Sequence, residues 1–270
     1  MSAELRQRLD GDLRRHDGLV VAFSGGVDSS VLLHAAARVI GASRVLAVTA
    51  KSPSLPAKEL DEATVFASSI GVEHRVLHTR ELEREGYRRN DRDRCFHCKS
   101  ELFDVIAGDL AAEARMRGWP VALGAITDDA QDHRPGARAA RERGVLTPLA
   151  DAGFDKSAVR AYAREHGLRV AEKPASACLA SRVAYGIPVD AAILARIERG
   201  EEILHELGCV QVRLRHHGAI ARIEVDPAEI ERVLRHRERL QDALRALGWT
   251  FVAVDLAGYR SGSLNQLSDP

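Results

Sequence analysis

Short apolar runs alternate with longer amphipathic stretches through the first two thirds of the chain. Residues 19–23 read Leu-Val-Val-Ala-Phe, and comparable β-rich runs occupy 44–49, 73–77 and 120–123. Between them, residues 28–39 carry a helical apolar period. A second helix places Glu59, Leu60, Ala63, Phe66 and Ala67 on its pattern, and further helices are predicted over 101–116 and 155–166. Buried strands alternating with helices imply βαβ units and a parallel sheet. The pattern changes after a linker-like stretch at 172–188. A long helix is predicted over 190–207, then an antiparallel pair at 210–214 and 219–225 around His216-His217-Gly218. A helix over 227–247 opens on Pro227, where the missing N–H costs nothing, and a last strand covers 251–256. The expected fold class is therefore α/β, with residues 1–175 forming the parallel-sheet domain and 176–270 a smaller C-terminal α+β domain. There are no internal repeats or low-complexity tracts.

The 270 residues are 45% hydrophobic and 29% charged, ordinary for a folded globular chain. Lys+Arg and Asp+Glu both number 39, so the formal net charge is zero. A chain built mainly to hold nucleic acid shows a basic excess, so nucleic acid is disfavoured as partner. The first twenty residues carry charges throughout and do not read as a signal peptide. No run approaches the ~20 apolar residues of a membrane span. The expectation is a cytoplasmic protein without a membrane partner, whose four cysteines are ligands, nucleophiles or buried hydrophobes rather than disulfides.

Candidate chemistry begins with Ser24-Gly25-Gly26-Val27-Asp28-Ser29-Ser30, which follows a predicted strand and opens a predicted helix. Gly25 and Gly26 let the backbone turn and present N–H groups unobstructed. The helix N-terminus adds partial positive charge. Ser24, Ser29 and Ser30 supply hydroxyl donors for phosphate oxygens. Asp28 would repel phosphate, so it is expected to hold Mg2+ or fix the loop. Gly-Lys-Ser/Thr is missing, which excludes a Walker A loop, and G-x-G-x-x-G is missing, which excludes the dinucleotide fingerprint. The string resembles the PP-loop of the ATP pyrophosphatases, which bind ATP and release pyrophosphate while adenylylating a substrate. Ligands sit at the carboxyl ends of parallel strands. Thr49, Gly124 and Asp128 are therefore candidate nucleotide contacts; Asp128, Asp129 and Asp132 either take part in Mg2+ or nucleotide contacts or form a polar turn, and Arg134 in the same loop is a candidate substrate-binding residue.

Cys95 and Cys98 form C-x-x-C in RCFHCKSELF, and Cys178 lies in KPASACLASRVAYG. Cys209 starts an apolar strand and reads as a buried hydrophobe. The pair admits several readings: zinc completed by His97 or a distant Cys, a redox pair outside a thioredoxin-type helix start, an unligated reduced pair, or a 4Fe-4S cluster on Cys95, Cys98 and Cys178. Three thiolates leave one iron open to an extra sulfide. Lys99, directly after Cys98, would neutralise phosphate or an acyl adenylate.

Six segments together resemble the LarE sulfur transferases. They are VAFSGGVDSS, RCFHCKSELF, LGAITDDAQDHRPG, KPASACLASRVAYG, VRLRHHGAIARIE and LAGYRSGSLN, in family order over nearly the whole chain. The resemblance implies that ATP and Mg2+ serve to adenylylate a carboxylate of pyridinium-3,5-biscarboxylic acid mononucleotide, and that sulfur then displaces AMP to leave a thiocarboxylate of nickel-pincer nucleotide biosynthesis. One branch of the family gives up the sulfur of its own cysteine and keeps dehydroalanine. Another carries three cysteines around a 4Fe-4S cluster that relays external sulfide. The sacrificial position aligns with Ala177 here, which favours the cluster branch and a sulfide donor as partner. The resemblance also implies a phosphate site on Arg213, Arg215 and Arg260, with Arg182 close to Cys178 and acidic positions at Glu201 and Glu224 near the reacting centre. Arg213 and Arg215, two apart on a strand, point to one face, and arginine pairs bidentately with phosphate. The C-terminal domain is expected to bind substrate and to support a homo-oligomer.

Alternatives keep the loop and change the acceptor. A PP-loop enzyme that thiolates transfer RNA would show a basic surface and terminal cysteine clusters. An ammonia-fed synthetase would leave the cysteines without work. A nucleotide-sensing module would be indifferent to loss of Cys178.

Overall fold

The computed structural model describes residues 2–112, 118–130, 135–174 and 177–260. Its chain divides into two compact units, Met1–Glu81 with Cys95–Ser176, and Leu82–Arg94 with Ala177–Pro270. The second unit is thus discontinuous. It takes in a short excursion that the apolar pattern assigned to the first domain.

In the first unit four strands form one parallel sheet: β1 (Leu19–Ala22), β2 (Val45–Lys51), β3 (Glu73–His78) and β4 (Val121–Leu123), in the order β3-β2-β1-β4. Every residue of β1 is buried, which is why its sequence shows no polar alternation. Successive residues feed opposite faces. Leu19 and Val21 join a core with helices α1 (Ala3–Leu13) and α2 (Val27–Ile40). Val20 and Ala22 join a second core with Leu102, Phe103 and Ile106. Helix α3 (Ala57–Ser69) links β2 to β3, and the short α4 (Glu85–Arg88) precedes the long α5 (Arg94–Ala112). After β4 come α6 (Thr127–Ala130), α7 (Pro135–Glu142), α8 (Pro148–Asp151) and α9 (Lys156–Glu165). The helix expected from residue 101 begins seven residues earlier at Arg94, and its expected last turn, 113–116, lies outside the described residues. Cys95 and Cys98 therefore stand three apart on a helix, where such positions are neighbours on one face.

The second unit packs α10 (Ala191–Glu206) on a three-stranded sheet of β5 (Val212–His217), β6 (Ile220–Val225) and β7 (Phe251–Val254), with α11 (Ile230–Arg235) and α12 (Arg237–Ala246) between β6 and β7. β5 and β6 pair antiparallel with His217 opposite Ile220, so His216 and His217 belong to the strand and Gly218-Ala219 makes the turn. The single helix expected over 227–247 is broken at His236. Its Nδ1–H donates to the Arg232 carbonyl at 2.9 Å, the acceptor its own backbone N–H would have used. That N–H bonds Val233 instead. No helix among the described residues is long and apolar enough to cross a membrane.

Behind α2 lies a polar cluster. The Tyr162 hydroxyl and His34 Nδ1 share a hydrogen bond at 3.0 Å, and Arg38 pairs with the buried Asp10. Burial, then His166 and Arg38, push the His34 pKa down to about 4. Folding thus favours the neutral ring. The unfolded chain takes up a proton near pH 6.5, so this contribution is whole above that pH and is lost progressively as pH falls towards 4. Urea unfolding at pH 7.5 and pH 4.5 should show a loss of roughly 2 kcal/mol from this group after solvent screening. His34→Gln should flatten that part of the profile, and an unchanged profile would remove the cluster from the account.

Candidate active site

The phosphate loop occupies the carboxyl end of β1. The chain runs from β1 to β2 and β3 on one side and to β4 on the other, so β1 and β4 flank the point where strand order reverses. Open α/β sheets bind ligands at such points. Gly25 adopts φ +71°, and a Cβ there would stand 3.0 Å from the Ala63 Cβ of α3. Gly26 is the N-cap of α2 and offers no side chain to its first turn. Helices α9 and α10, by contrast, are closed by Asp155 and Asp190, each accepting a backbone N–H at 2.7 Å. The leading N–H groups of α2 are thus left for an anion, where the helix dipole favours one. A Cβ on Gly124, just past β4, would lie 2.7 Å from Ser29 N. Only glycine admits this approach of backbone to the helix start.

The hydroxyls fix the loop. Ser29 Oγ donates to the Gly26 carbonyl at 3.1 Å and accepts from Ser24 N at 3.3 Å, and the Ser24 hydroxyl lies 3.1 Å from it. Ser30 is fully buried, and its hydroxyl has no hydrogen-bond partner among the described residues. Thr49 is buried with its hydroxyl engaged. It donates to the Phe23 carbonyl at 2.7 Å and so accepts from His74 Nε2–H at 2.8 Å. That arrangement ties the residue after β1 to β2 and to the start of β3.

Two lysines that the sequence did not single out complete this side. Lys156, first residue of α9, reaches both oxygens of Asp28 at 2.8 and 2.7 Å, and its backbone N–H donates to Asp128 at 3.2 Å. Asp28 and Asp128 thereby converge on one cationic residue beside the uncapped helix. Lys173 Nζ donates to the Gly25 carbonyl at 3.2 Å and pairs with Glu59 and Glu62, each at 2.7 Å. Burial opposes its charge, but the bonds and charges of Glu59 and Glu62 outweigh that, and its pKa lies above the ordinary lysine value. Asp129 accepts from Ile126 N at 3.0 Å and shapes the loop. On α5, Cys95 is exposed, Cys98 and Lys99 are half-buried, and the Lys99 stem lies against Gly136. Asp132 and Arg134 lie outside the described residues.

The second unit gathers the other candidates. Cys178 is exposed and caps a short 3-10 turn, Leu179–Arg182. Arg182, only 2% exposed, forms a two-pronged pair with Glu201 at 3.0 and 3.2 Å. Its remaining nitrogen donates to the Ala177 carbonyl, to the Cys178 carbonyl at 3.0 Å and to Ser181 Oγ at 3.2 Å. Glu201 also accepts from Leu214 N at 2.9 Å. Arg215 pairs with the fully buried Glu224 at 2.9 Å and donates to the Ser181 carbonyl at 2.9 Å. In the β5–β6 register Arg215 faces Arg222, a repulsive pairing, and Glu224 bridges them by also accepting from Arg222 at 2.7 Å. Arg213 lies 5.2 Å from the Tyr259 ring. Its pKa is depressed by burial, then by Arg182, against the pull of Glu201. Three buried guanidiniums, Arg182, Arg213 and Arg215, thus face two buried carboxylates, Glu201 and Glu224. Arg260 follows Tyr259 and is exposed. Cys209 is buried, and burial raises its thiol pKa, as suits a packing residue. Among the described residues no three His, Cys, Asp or Glu side chains stand together as a metal cage.

A glycine-lined turn between a central parallel strand and an uncapped helix, with serine hydroxyls and a carboxylate at the lip, defines an ATP-using α/β protein of the PP-loop class. The NAD synthase family model matches residues 3–119. An uncharacterized protein of Synechocystis sp. is 38% identical over 254 residues, covering 93% of this chain and 93% of that protein. The pyridinium-3,5-bisthiocarboxylic acid mononucleotide synthase of Lactiplantibacillus plantarum is 36% identical over 255 residues, covering 94% of this chain and 90% of that protein. An NH(3)-dependent NAD(+) synthetase of Methanococcoides burtonii is 31% identical over 61 residues, 23% of each chain. The chain belongs to the family of the mononucleotide synthase, the LarE ATP-dependent sulfur transferases.

Proposed function

We propose that the protein adenylylates a carboxylate of pyridinium-3,5-biscarboxylic acid mononucleotide with ATP and then replaces AMP by sulfur. In the first step a carboxylate oxygen attacks the α-phosphorus, and pyrophosphate leaves. This turns a poor electrophile into one with a good leaving group. The uncapped N–H groups of α2 and the loop serines bind the phosphates. Asp28 and Asp128 would hold Mg2+, which neutralises phosphate charge, and Lys156 would then be released towards the pyrophosphate. Arg213, Arg215 and Arg260 suit the substrate phosphate. An arriving anion would meet the buried guanidiniums of Arg182, Arg213 and Arg215.

In the second step sulfur adds to the acyl carbon and AMP departs with the bonding pair. The observation that carries this reading is an exposed, free thiol, Cys178, on a turn whose carbonyls are gripped by Arg182 and Arg215. If Cys178 supplies the sulfur, a thioester forms. Loss of its Cα proton then breaks Cβ–S, releasing the thiocarboxylate and leaving dehydroalanine. In the other route Cys95, Cys98 and Cys178 would hold a 4Fe-4S cluster, which would supply a site for sulfide from an external donor. Three cysteines outside any disulfide are the right donor type for it, and the resemblance, which puts Ala177 at the sacrificial position, favours it. A homo-oligomer working in the cytoplasm is part of the same reading.

ATP–pyrophosphate exchange should depend on the mononucleotide. Cys178→Ser should keep that exchange and lose thiocarboxylate formation. Iron content of anaerobically purified protein, set beside the mass of Cys178 after turnover, separates the two sulfur routes. Exchange stimulated by transfer RNA and not by the mononucleotide, or full sulfur transfer by Cys178→Ser, would overturn the proposal.

A further inference from the structure

Residues 177–187 contain little regular structure, yet their carbonyls are occupied by side chains from several directions. Arg182 takes those of Ala177 and Cys178, and Arg215 takes that of Ser181. The rest of the grip comes from the excursion Leu82–Arg94, which the activity described above does not use. Asn90 is fully buried and holds φ +59°, a left-handed conformation that asparagine tolerates better than most residues. Its side-chain amide donates to the carbonyls of Ala184 at 2.9 Å, Ile187 at 3.0 Å and Val183 at 3.3 Å. Its side-chain oxygen accepts from Arg94, and the same Arg94 nitrogen donates to the Ala180 carbonyl at 2.9 Å. Val189 N donates to the Arg88 carbonyl at 2.9 Å, closing the far end.

From this arrangement we infer that Asn90 and Arg94 are positioning residues for Cys178: they fix the segment just after it, residues 180–187, and so the turn that presents its thiol. The inference rests on reading Cys178 as the sulfur-handling residue. An exposed thiol on an irregular segment would otherwise sample many directions. Displacing a reacting group by about 1 Å costs on the order of a hundredfold in rate. Arg182 and Arg215 hold the turn from within the substrate-side network. Asn90 and Arg94 hold the carbonyls of Ala180, Val183, Ala184 and Ile187.

Asn90→Gly tests this, because glycine accepts the left-handed backbone while removing the amide. Arg94→Lys keeps the charge and carries the same test should Asn90→Gly fail to fold. The first readout is the iodoacetamide alkylation rate of Cys178 at fixed pH in the intact chain freed of iron by chelation, resolved by peptide mass. The second compares mononucleotide-dependent ATP–pyrophosphate exchange with thiocarboxylate formation. The variants should change the alkylation rate at fixed pH by ~10-fold, lower thiocarboxylate formation by at least ~10-fold, and leave the KM for ATP within about twofold. Arg94→Lys should recover part of what Arg94→Met loses. Wild-type alkylation rates in all these variants would overturn the inference. A changed rate with intact sulfur transfer would uphold the positioning role and remove Cys178 from the chemistry instead.

Discussion

Gly124→Ala should leave a folded protein whose ATP–pyrophosphate exchange is lowered about a hundredfold or more. The added Cβ would stand 2.7 Å from Ser29 N, 2.8 Å from Ser29 Cα and 2.9 Å from the Asp28 carbonyl carbon. These are backbone atoms of the first turn of α2, so no flexible side chain can give way. The helix start must move, and nine buried residues hold the helix behind it. Overpacking of this kind costs about 1–3 kcal/mol in stability. The functional loss should be larger, on the order of a hundredfold or more, because the N–H groups of that turn must meet the phosphates in register. Calorimetric titration with ATP separates the two effects. Wild-type affinity in the variant would place the nucleotide somewhere other than this loop.

Arg182→Met should be the most destabilising single change in the second unit. Methionine fills much of the space but leaves Glu201 buried without its ion pair and frees the carbonyls of Ala177 and Cys178. Removing one partner of a buried pair costs about 3–5 kcal/mol, and thermal unfolding should register it directly. Adding Glu201→Gln should return part of that loss, since a neutral amide oxygen can still accept from Leu214 N. Sulfur transfer should stay lost in the double variant, because nothing then holds the Cys178 carbonyl from within. Recovery of both together would reduce Arg182 to a structural role.

The sequence carried the phosphate loop openly, because seven consecutive residues perform its work between a strand and a helix. It carried Arg213 and Arg215 through their spacing of two on a strand. Lys156 and Lys173 were invisible for a definite reason. Their partners Asp28 and Gly25 lie 128 and 148 residues away, and an isolated lysine in a charge-rich chain looks like any solvated one. The start of α5 was placed late because Arg94, the residue that opens it, is a buried cation where a helix start normally shows an apolar or capping residue. The break at His236 has neither proline nor glycine to announce it. It comes from one imidazole taking a carbonyl from the backbone. Asn90 reads as a turn residue in any local window, and only the fold shows it spanning to residues 183–187.

That span sets an order on synthesis. Asn90 and its acceptor Ala184 are separated by 94 residues, and Arg94 and Ala180 by 86. At translation rates of 5–20 residues per second, Asn90 waits roughly 5–20 s for its partners to leave the ribosome. During that interval an amide destined for full burial is hydrated, on a segment that belongs to neither finished neighbour. The sheet of the first unit can close meanwhile around β1 to β4. The second unit is a late folder by construction, and a chain begun at residue 177 would lack the piece that seats its cysteine turn.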